Sequence, residues 1–447
     1  MIRVFDYELN ILAEIDNYES LIWRRRWHKP GEFELHINFN KRNTSELKKG
    51  NIVVCNDEAG IIRQREIKLD EGGKGSEELI IKGSSLSCIL GRRITLPPEG
   101  QAYDKVTSNV ETIMKSFVDR NCINTVDARR KMPLLELAPD QARGIQTTYQ
   151  TRLKQLDEEL EKLSLVSGLG WDIFLDLTNK KWVFDVMEGR DLTAGQTINP
   201  PVIFSVDFDN IKAQQFIESE SGHKNVAYVG GQGEGVNRAI TETGEDASGL
   251  DRLETFVDAR DLEDVNSLPE RGKQKLAEMK EIHSFDSEIM TDGPFRYKED
   301  WDLGDVVTVR NSSWNMTLDA RITEVVEIYE PNGFWLEATF GSNIPTLIEK
   351  IKQEMDEPVT EKTSKVSELE NDSGYITNAD IPQAATYIHS QIAPAAIWMI
   401  NHELGKHPSV AIVDSAGTVV VGEVEYIDDD TIRASFTAAF AGKAYLN

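Results

Sequence analysis

The sequence predicts an α+β fold, mainly β, in which barrel-like domains with inserted helices lead into a polar linker and a small C-terminal β-sandwich. Three observations predict it. Short runs of alternating apolar and polar residues, bounded by Gly, Pro and Asn turns, recur through most of the 447 residues. Only a few stretches carry the three-to-four-residue apolar spacing of a helix. The strands arrive in clusters instead of alternating with helices, which argues against a doubly wound parallel sheet.

Residues 1–100 read as a barrel-like domain, a small barrel or curled sheet of five strands, over 18–27, 33–39, 51–56, 60–69 and 78–83, with turns at Pro30-Gly31, Lys49-Gly50 and Gly72-Gly73. Residues 101–200 read as a helix-containing α+β domain. Val106, Val110, Ile113, Met114, Phe117 and Val118 fall on one stripe and predict a helix over 104–120. At ~1.5–3 kcal/mol per buried side chain, that face contributes on the order of 10 kcal/mol once covered. A second helix is expected over 149–166 through Leu153, Leu156, Leu160 and Leu163, with Gly168 as its left-handed cap. Strands 171–175 and 182–186 then form a hairpin around Thr178-Asn179.

Residues 201–349 read as a second barrel-like or α+β region with strands at 203–206, 225–229, 303–309 and 334–340 and a helix over 269–282. The stripe Leu347, Ile348, Ile351 and Met355 suits either the start of a threefold helical stalk or an ordinary docking helix. Residues 350–383 are polar, charged and poor in aromatics, the composition of a linker or stalk. Residues 384–447 carry five strand patterns separated by Leu404-Gly405, Ala416-Gly417 and Asp428-Asp429-Asp430, which predicts the β-sandwich.

Charge narrows the function classes. Against 49 Lys+Arg stand 76 Asp+Glu, a net charge of −27. Such an acid excess disfavours coating nucleic acid or anionic lipid. Residues 1–100 hold 16 basic and 16 acidic side chains, so the whole excess lies beyond them, and the balanced part is where contacts with a neighbouring protein are expected. The first residues, Met1-Ile2-Arg3-Val4-Phe5-Asp6, do not read as a signal peptide, and no apolar run approaches the ~20 residues that span a bilayer, so no membrane anchor is expected. Cys55, Cys88 and Cys122 lie far apart without CxxC or Cys/His pairing and read as small buried hydrophobes in a reduced compartment.

The motifs that evoke chemistry fail on spacing. His402-Glu403-Leu404-Gly405-Lys406-His407 resembles a zinc-protease helix with one residue too many, and Pro408 follows it, so a turn is expected. Val229-Gly230-Gly231-Gln232-Gly233-Glu234-Gly235-Val236 follows a strand but lacks the third glycine of a dinucleotide loop and any Lys-Ser/Thr pair; a hairpin tip fits better. Asp207, Asp209 and the Asp428–Asp430 run lack the glycine and final glutamate of a calcium loop. No catalytic set, cofactor or metal site is therefore expected.

Two groups remain as candidate contacts. In Trp23-Arg24-Arg25-Arg26-Trp27 a strand places Trp23, Arg25 and Trp27 on one face and Arg24 and Arg26 on the other. That pattern suits an interface, or arginines meeting acidic partners on this or a neighbouring chain. Trp398, Tyr426 and Tyr445 are candidate glycan-stacking residues, with sandwich core as the alternative.

Several ordered segments resemble the hub family of long-tailed bacteriophages, known as baseplate hub or tail-associated lysin N-terminal region. They are Pro30-Gly31-Glu32-Phe33-Glu34-Leu35, Gly168-Leu169-Gly170-Trp171-Asp172, Gly189-Arg190-Asp191-Leu192-Thr193, Asn225-Val226-Ala227-Tyr228-Val229-Gly230-Gly231, the stretch from Ser248-Gly249-Leu250 to Asp258-Ala259-Arg260-Asp261, and Trp301-Asp302-Leu303-Gly304-Asp305-Val306-Val307. Glu368-Leu369-Glu370-Asn371-Asp372-Ser373-Gly374-Tyr375-Ile376-Thr377 is similar to a spacer of tail appendage proteins, and residues 395–447 look like a small β-module attached to such proteins. The resemblance implies a virion structural protein at the tail tip, made in the bacterial cytoplasm, without catalytic residues. It implies a homotrimer whose two barrel-like domains per subunit build a pseudo-sixfold ring that closes or gates the tube. Its partners would be the distal tail protein, the tape measure protein and tail fibre or appendage proteins, with host attachment, cell-wall glycan contact and transient passage of DNA as its context. Many relatives continue into a long peptidoglycan-degrading or fibre region; here residues 350–447 follow instead.

Overall fold

Seven antiparallel strands open the chain: β1 (Ile2–Phe5), β2 (Ile11–Ile15), β3 (Ser20–Arg26), β4 (Glu32–Asn38), β5 (Ile52–Cys55), β6 (Glu58–Leu69) and β7 (Gly75–Ser85). The computed structural model describes residues 1–69, 75–262, 264–341 and 386–447. It divides into two compact units, Met1–Pro358 and Val359–Asn447. The Gly72-Gly73 turn, the stripe carrying Leu347 and Ile351, and the 350–383 linker lie outside the described residues.

The seven strands pair in the order β2-β1-β5-β6-β7-β4-β3. Alternation sets the buried face: Phe33, Leu35 and Ile37 of β4 point inward with Trp23, Ile62, Leu79 and Ile81. The sequence pattern did not reveal β1 and β2. They are short, and their reversal rests on local polar chemistry: the Asp6 carboxylate accepts the amides of Glu8 and Asn10 at 2.9 Å each, with Leu9 at φ 61°.

Residues 101–200 pack two helices over small sheets. β8 (Asp104–Asn109) leads into α1 (Val110–Val118), whose last turn widens over Asp119–Ile123. β9 (Leu135–Leu137) and β10 (Gln146–Thr151) precede α2 (Leu156–Ser167), and the hairpin β11 (Gly170–Asp176) and β12 (Lys181–Met187) follows. Both helices start later than their apolar spacing predicts. Residues 104–109 and 146–151 are consumed by the antiparallel β8–β10 ladder, and Leu153 at φ 55° breaks any continuation into α2. The expected stripe is otherwise in place, with Val110, Ile113, Met114, Phe117 and Val118 fully buried beside Leu156, Leu160 and Leu163. Gly168 at φ 76° caps α2, its amide donating to the Ser164 carbonyl at 2.8 Å.

The remaining strands of this unit are β13 (Asp191–Leu192), β14 (Ile203–Ser205), β15 (Ile211–Ser219), β16 (Val226–Gly230), β17 (Ile240–Gly244), β18 (Glu254–Asp258), β19 (Ile282–Ile289), β20 (Val306–Asn311), β21 (Met316–Glu330) and β22 (Gly333–Gly341). β16–β18 form a separate three-stranded sheet covered by α3 (Leu268–Glu278), and Ala227, Val229, Val257 and Leu268 share its core. The others extend the N-terminal sheet in the order β15-β19-β22-β21-β3, with β20 beside β21 and β13 and β14 beside β20.

This arrangement corrects the expectation of barrel-like domains. Among the described residues no sheet closes into a barrel; strands from both ends of the unit form one 14-stranded sheet. The cause is β3, whose free edge pairs with β21 from Arg26↔Glu324 to Leu21↔Tyr329 instead of returning to β1 or β2. β21 spans 15 residues with a bulge between Ile322 and Glu324, and its two halves pair with β20 and β3.

The C-terminal unit holds β23 (Tyr387–Asn401), β24 (Val410–Asp414), β25 (Glu423–Tyr426) and β26 (Thr431–Leu446). In place of the expected two-sheet sandwich, it is one four-stranded sheet built around β26. β23 lies along one edge of β26, while β24 and β25 take opposite ends of the other. Register shifts between Gln391 and Ile397 bend this long ribbon, so that Ile432 and Leu446 from the two ends of β26 share one core with Trp398. No described helix in the chain is long and apolar enough to cross a membrane.

Candidate functional site at the seam of the large sheet

The Trp23–Trp27 segment lies where the two halves of the sheet meet. Its polar face belongs to Arg24 and Arg26, which converge on Glu324: Arg24 forms an ion pair with it and the Arg26 Nε stands 3.0 Å from Glu324 Oε2. Arg26 also reaches Glu32 at 3.0 Å. On the other face Trp23 is 1% exposed and stacks on Phe33, ring centroids 4.8 Å apart. Trp27 is equally buried, donates from Nε1 to the Gly168 carbonyl at 2.9 Å and lies under the Arg321 guanidinium. Trp171 answers by donating to the His28 carbonyl at 2.9 Å, so the end of β3 is locked to the cap of α2. These tryptophans face the interior of this chain, which corrects their assignment to an interface.

Arg25 occupies the centre of a largely buried charge network. Its guanidinium reaches Glu58 at 2.8 Å, Asp302 at 2.7 Å and the Tyr297 hydroxyl at 2.6 Å. Lys298 stands 3.1 Å from Glu58 and 3.5 Å from Glu327. The buried Glu327 accepts the hydroxyls of Tyr297 at 2.8 Å and Tyr329 at 2.6 Å. Burial, then the neighbouring Glu327 charge, raises the Tyr329 phenol above its ordinary range. Burial pushes the nearby Asp172 carboxyl up to about 6 despite the Ser87 hydroxyl bonded to it, and holds His28 neutral with a value down to about 3. Arg25 and Lys298 between them pair with Glu58, Asp302 and Glu327 from other parts of the same chain. Such a cluster holds a register; it presents no open nucleophile or base.

A surface cleft of about 330 Å³ lies between β10, α2, β18 and α3, lined among others by Tyr103, Arg152, Lys162, Phe256 and Arg271. Its wall is fixed by Arg271 at 2.9 Å from Asp261, which also accepts Gln150 Nε2 at 2.9 Å. The neighbouring glycine stretch is the tip of the β16–β17 hairpin, as its spacing indicates. Arg238 fills it, donating to the carbonyls of Gly230 and Gly231 at 3.0 Å and pairing with Asp258 at 2.7 Å while stacked on Phe256. The backbone thus turns carbonyls toward a cation, the opposite of a phosphate cradle.

In the C-terminal unit the three candidate aromatics separate. Trp398 is fully buried between Phe436 and Phe440 and donates Nε1 to the Ala395 carbonyl at 2.9 Å, which removes it from any glycan contact. Tyr426 is part-exposed, stacks on His407 with centroids 4.6 Å apart and donates its hydroxyl to the Pro408 carbonyl. Tyr445 is 37% exposed on the outer face, opposite the exposed Ile388. The 402–407 segment is a turn: Glu403 and Gly405 both have positive φ, and the buried His402 accepts the Leu404 amide.

A family model described as Siphovirus ReqiPepy6 Gp37-like protein matches residues 1–342. The chain belongs to this family. That description makes it a family of siphovirus proteins. Solved structures similar to this Gp37-like chain include the 43 kDa tail protein of prophage MuSo2 from Shewanella oneidensis, 12% identical with a TM-score of 0.49, over 76% of this chain and 97% of that one. A tail protein from Neisseria meningitidis MC58 is 13% identical with a TM-score of 0.48, over 76% and 96% of the two chains. Prophage tail protein gp18 from Listeria monocytogenes EGD-e is 12% identical with a TM-score of 0.48, over 80% and 98%. No curated protein matches the chain.

The acids of the Gp37-like seam escaped sequence reasoning. Three consecutive arginines announce acidic partners but do not name them. One signal was available: Glu327 interrupts the apolar run Val325-Val326-Glu327-Ile328, a placement that a carboxylate tolerates only with partners at hand.

Proposed function

We propose that the chain is a structural baseplate hub at the tail tip of a siphovirus or related particle, forming a homotrimer that closes or gates the tail tube. In this reading it adjoins the distal tail protein and the tape measure protein, contributes to host attachment and DNA ejection, and performs no catalysis. The observation that carries it is the family match across residues 1–342, joined to a 14-stranded sheet whose strands come from both ends of that region. A strand-rich subunit whose large sheet has β2 and β15 at its edges among the described residues suits repeated side-to-side assembly.

The charge supports the same reading. With −27 per subunit, acids placed within about a Debye length, ~8 Å, of a conduit would keep passing DNA from adhering. Solution mass tests the proposal. A subunit of 50.3 kDa gives a trimer of about 151 kDa, and electron microscopy of that species should reveal a threefold ring. A stable monomer at tail-assembly concentrations, absent from the tip of isolated tails, would overturn it.

A second reading is favoured by the exposed Tyr445 and Ile388: receptor or cell-wall glycan contact through the C-terminal module. Binding of the full chain to host cell walls, lost in Tyr445→Ala, is its expected outcome. Release of muropeptides by the purified protein would instead establish a wall hydrolase.

A further inference from the structure

We propose that Glu218, Glu281 and His283 form a binding site for a divalent transition-metal ion, with Zn²⁺ the best fit. The three residues lie at the outer edge of the large sheet. Glu218 of β15 and His283 of β19 are direct cross-strand partners, and Glu281 precedes His283 by two positions, the spacing that returns a side chain to the same face. The Glu218 carboxylate stands 3.2 Å from His283 Nε2, and that of Glu281 3.5 Å from the same nitrogen. All three ligand atoms lie within 4.8 Å of one another. A tetrahedral ion with bonds of about 2.0–2.2 Å holds its ligand atoms about 3.3–3.6 Å apart. The tripod therefore needs only small side-chain rotations to close on an ion.

Charge points the same way. Among the described residues no Lys or Arg pairs with Glu218 or Glu281, and one imidazole neutralises at most one carboxylate, and only when protonated. His36 shows what an ordinary ion-pair cluster looks like in this chain. There Glu34 and Glu78 occupy different ring nitrogens, Nε2 at 2.7 Å and Nδ1 at 2.9 Å, and Lys82 neutralises Glu34 at 2.8 Å. At His283 both acids converge on Nε2 and no second cation is supplied. One imidazole and two carboxylates form a mixed nitrogen and oxygen donor set of the kind Zn²⁺ accepts, with affinity falling toward Co²⁺ in the usual order of divalent ions. The side chains are 40–60% exposed, so the remaining coordination position opens to water or to a residue of an adjoining subunit along the β15 edge.

The test is titration of the full chain, freed of metal by chelator, with ZnCl2 by calorimetry, followed by CoCl2 with visible absorption to read the ligand field. Wild type should bind one Zn²⁺ per chain at this site, and Glu218→Gln, Glu281→Gln and His283→Ala should each weaken binding at least tenfold without lowering the melting temperature of the metal-free protein. His36→Ala should bind as wild type does. No zinc binding by wild type, or binding that survives all three substitutions unchanged, overturns the proposal.

Discussion

The Arg25 guanidinium and the Asp302 carboxylate, 277 positions apart in the chain, stand 2.7 Å apart at the seam of the large sheet. The contact joins an N-terminal strand to the loop before β20, and Arg25 holds Glu58 from the same position. Replacing Arg25 by Met keeps bulk and removes the charge, leaving the poorly solvated Glu58 and the part-exposed Asp302 with one cation fewer. Removing one partner of such a cluster costs about 3–5 kcal/mol. Arg25→Met should therefore lower stability by that amount in urea unfolding. Arg25→Lys should recover only part of it, because an ammonium cannot reproduce the fork that reaches Glu58, Asp302 and Tyr297 together. A loss below 1 kcal/mol would mean that the seam is held by apolar packing alone.

Gly304 offers a sharper test of the same region. It has φ +93°, and a Cβ on it would lie 2.1 Å from Cζ3 of Trp27. Gly304→Ala must therefore shift a fully enclosed indole and strain the backbone, at a cost of about 2–4 kcal/mol. Gly195 has open space around its Cβ position, and Gly195→Ala should change stability by no more than ~0.5 kcal/mol. Equal melting temperatures for the two variants would show that Trp27 is free to move, contrary to the clamp on α2.

The sequence made local structure legible and distant pairing illegible. The strand patterns over 18–83 and the α1 stripe were readable because alternation and helical spacing are written within a dozen residues. β21 was not, because Thr323, Glu324 and Glu327 interrupt its apolar pattern and are buried only through bonds made after folding. Barrel closure failed for the same reason: whether β3 pairs back on its own half or on residues near 325 depends on partners about 300 positions away. At the candidate site the need for acidic partners was legible in the arginines, and their identity was not. The aromatic candidates carried no sign of side: Trp398 and Tyr445 both sit on strands, and only the bend of the C-terminal sheet decides which is covered.

Asp172 gives the fold a distinct acid response. Its carboxyl is pushed by burial to about 6, above the ordinary 3.8, so the folded chain holds this proton more tightly than the unfolded chain does. The stability tied to that proton is complete below about pH 4 and is lost as pH rises through 6. Asp172→Asn mimics the protonated form. Relative to wild type it should gain about 2–3 kcal/mol at pH 7.5, roughly half of that at pH 5 and almost nothing at pH 3.5. Glu111 acts in the opposite sense. Burial alone would raise it, but Arg143, Lys115 and the amides of Arg143 and Gln141 hold it at about 2, so its contribution is lost only as pH falls from 4.5 toward 2. It is common to both proteins and cancels in the comparison. A pH-independent difference between Asp172→Asn and wild type would exclude Asp172 as the source.

Trp398 and Tyr445 should separate stability from surface chemistry in the C-terminal unit. Trp398 is enclosed by Phe436, Phe440 and the Ile400–Ile432 core, and its truncation to Ala leaves a cavity that neighbouring strands cannot fill without giving up the β23–β26 ladder. The expected cost is about 3–5 kcal/mol. Because the unit has its own core, hydrogen exchange in the full chain should report the loss in β23 and β26 and leave β3 and β21 protected as before. Tyr445→Ala removes a ring from the outer face and should cost less than about 1 kcal/mol. If the module contacts cell-wall glycan through that face, Tyr445→Ala will weaken wall binding at an unchanged melting temperature. Trp398→Ala will weaken it only in proportion to the fraction of the unit unfolded. Wall binding that is indifferent to Tyr445 and follows folding alone would remove the aromatic outer face from host recognition.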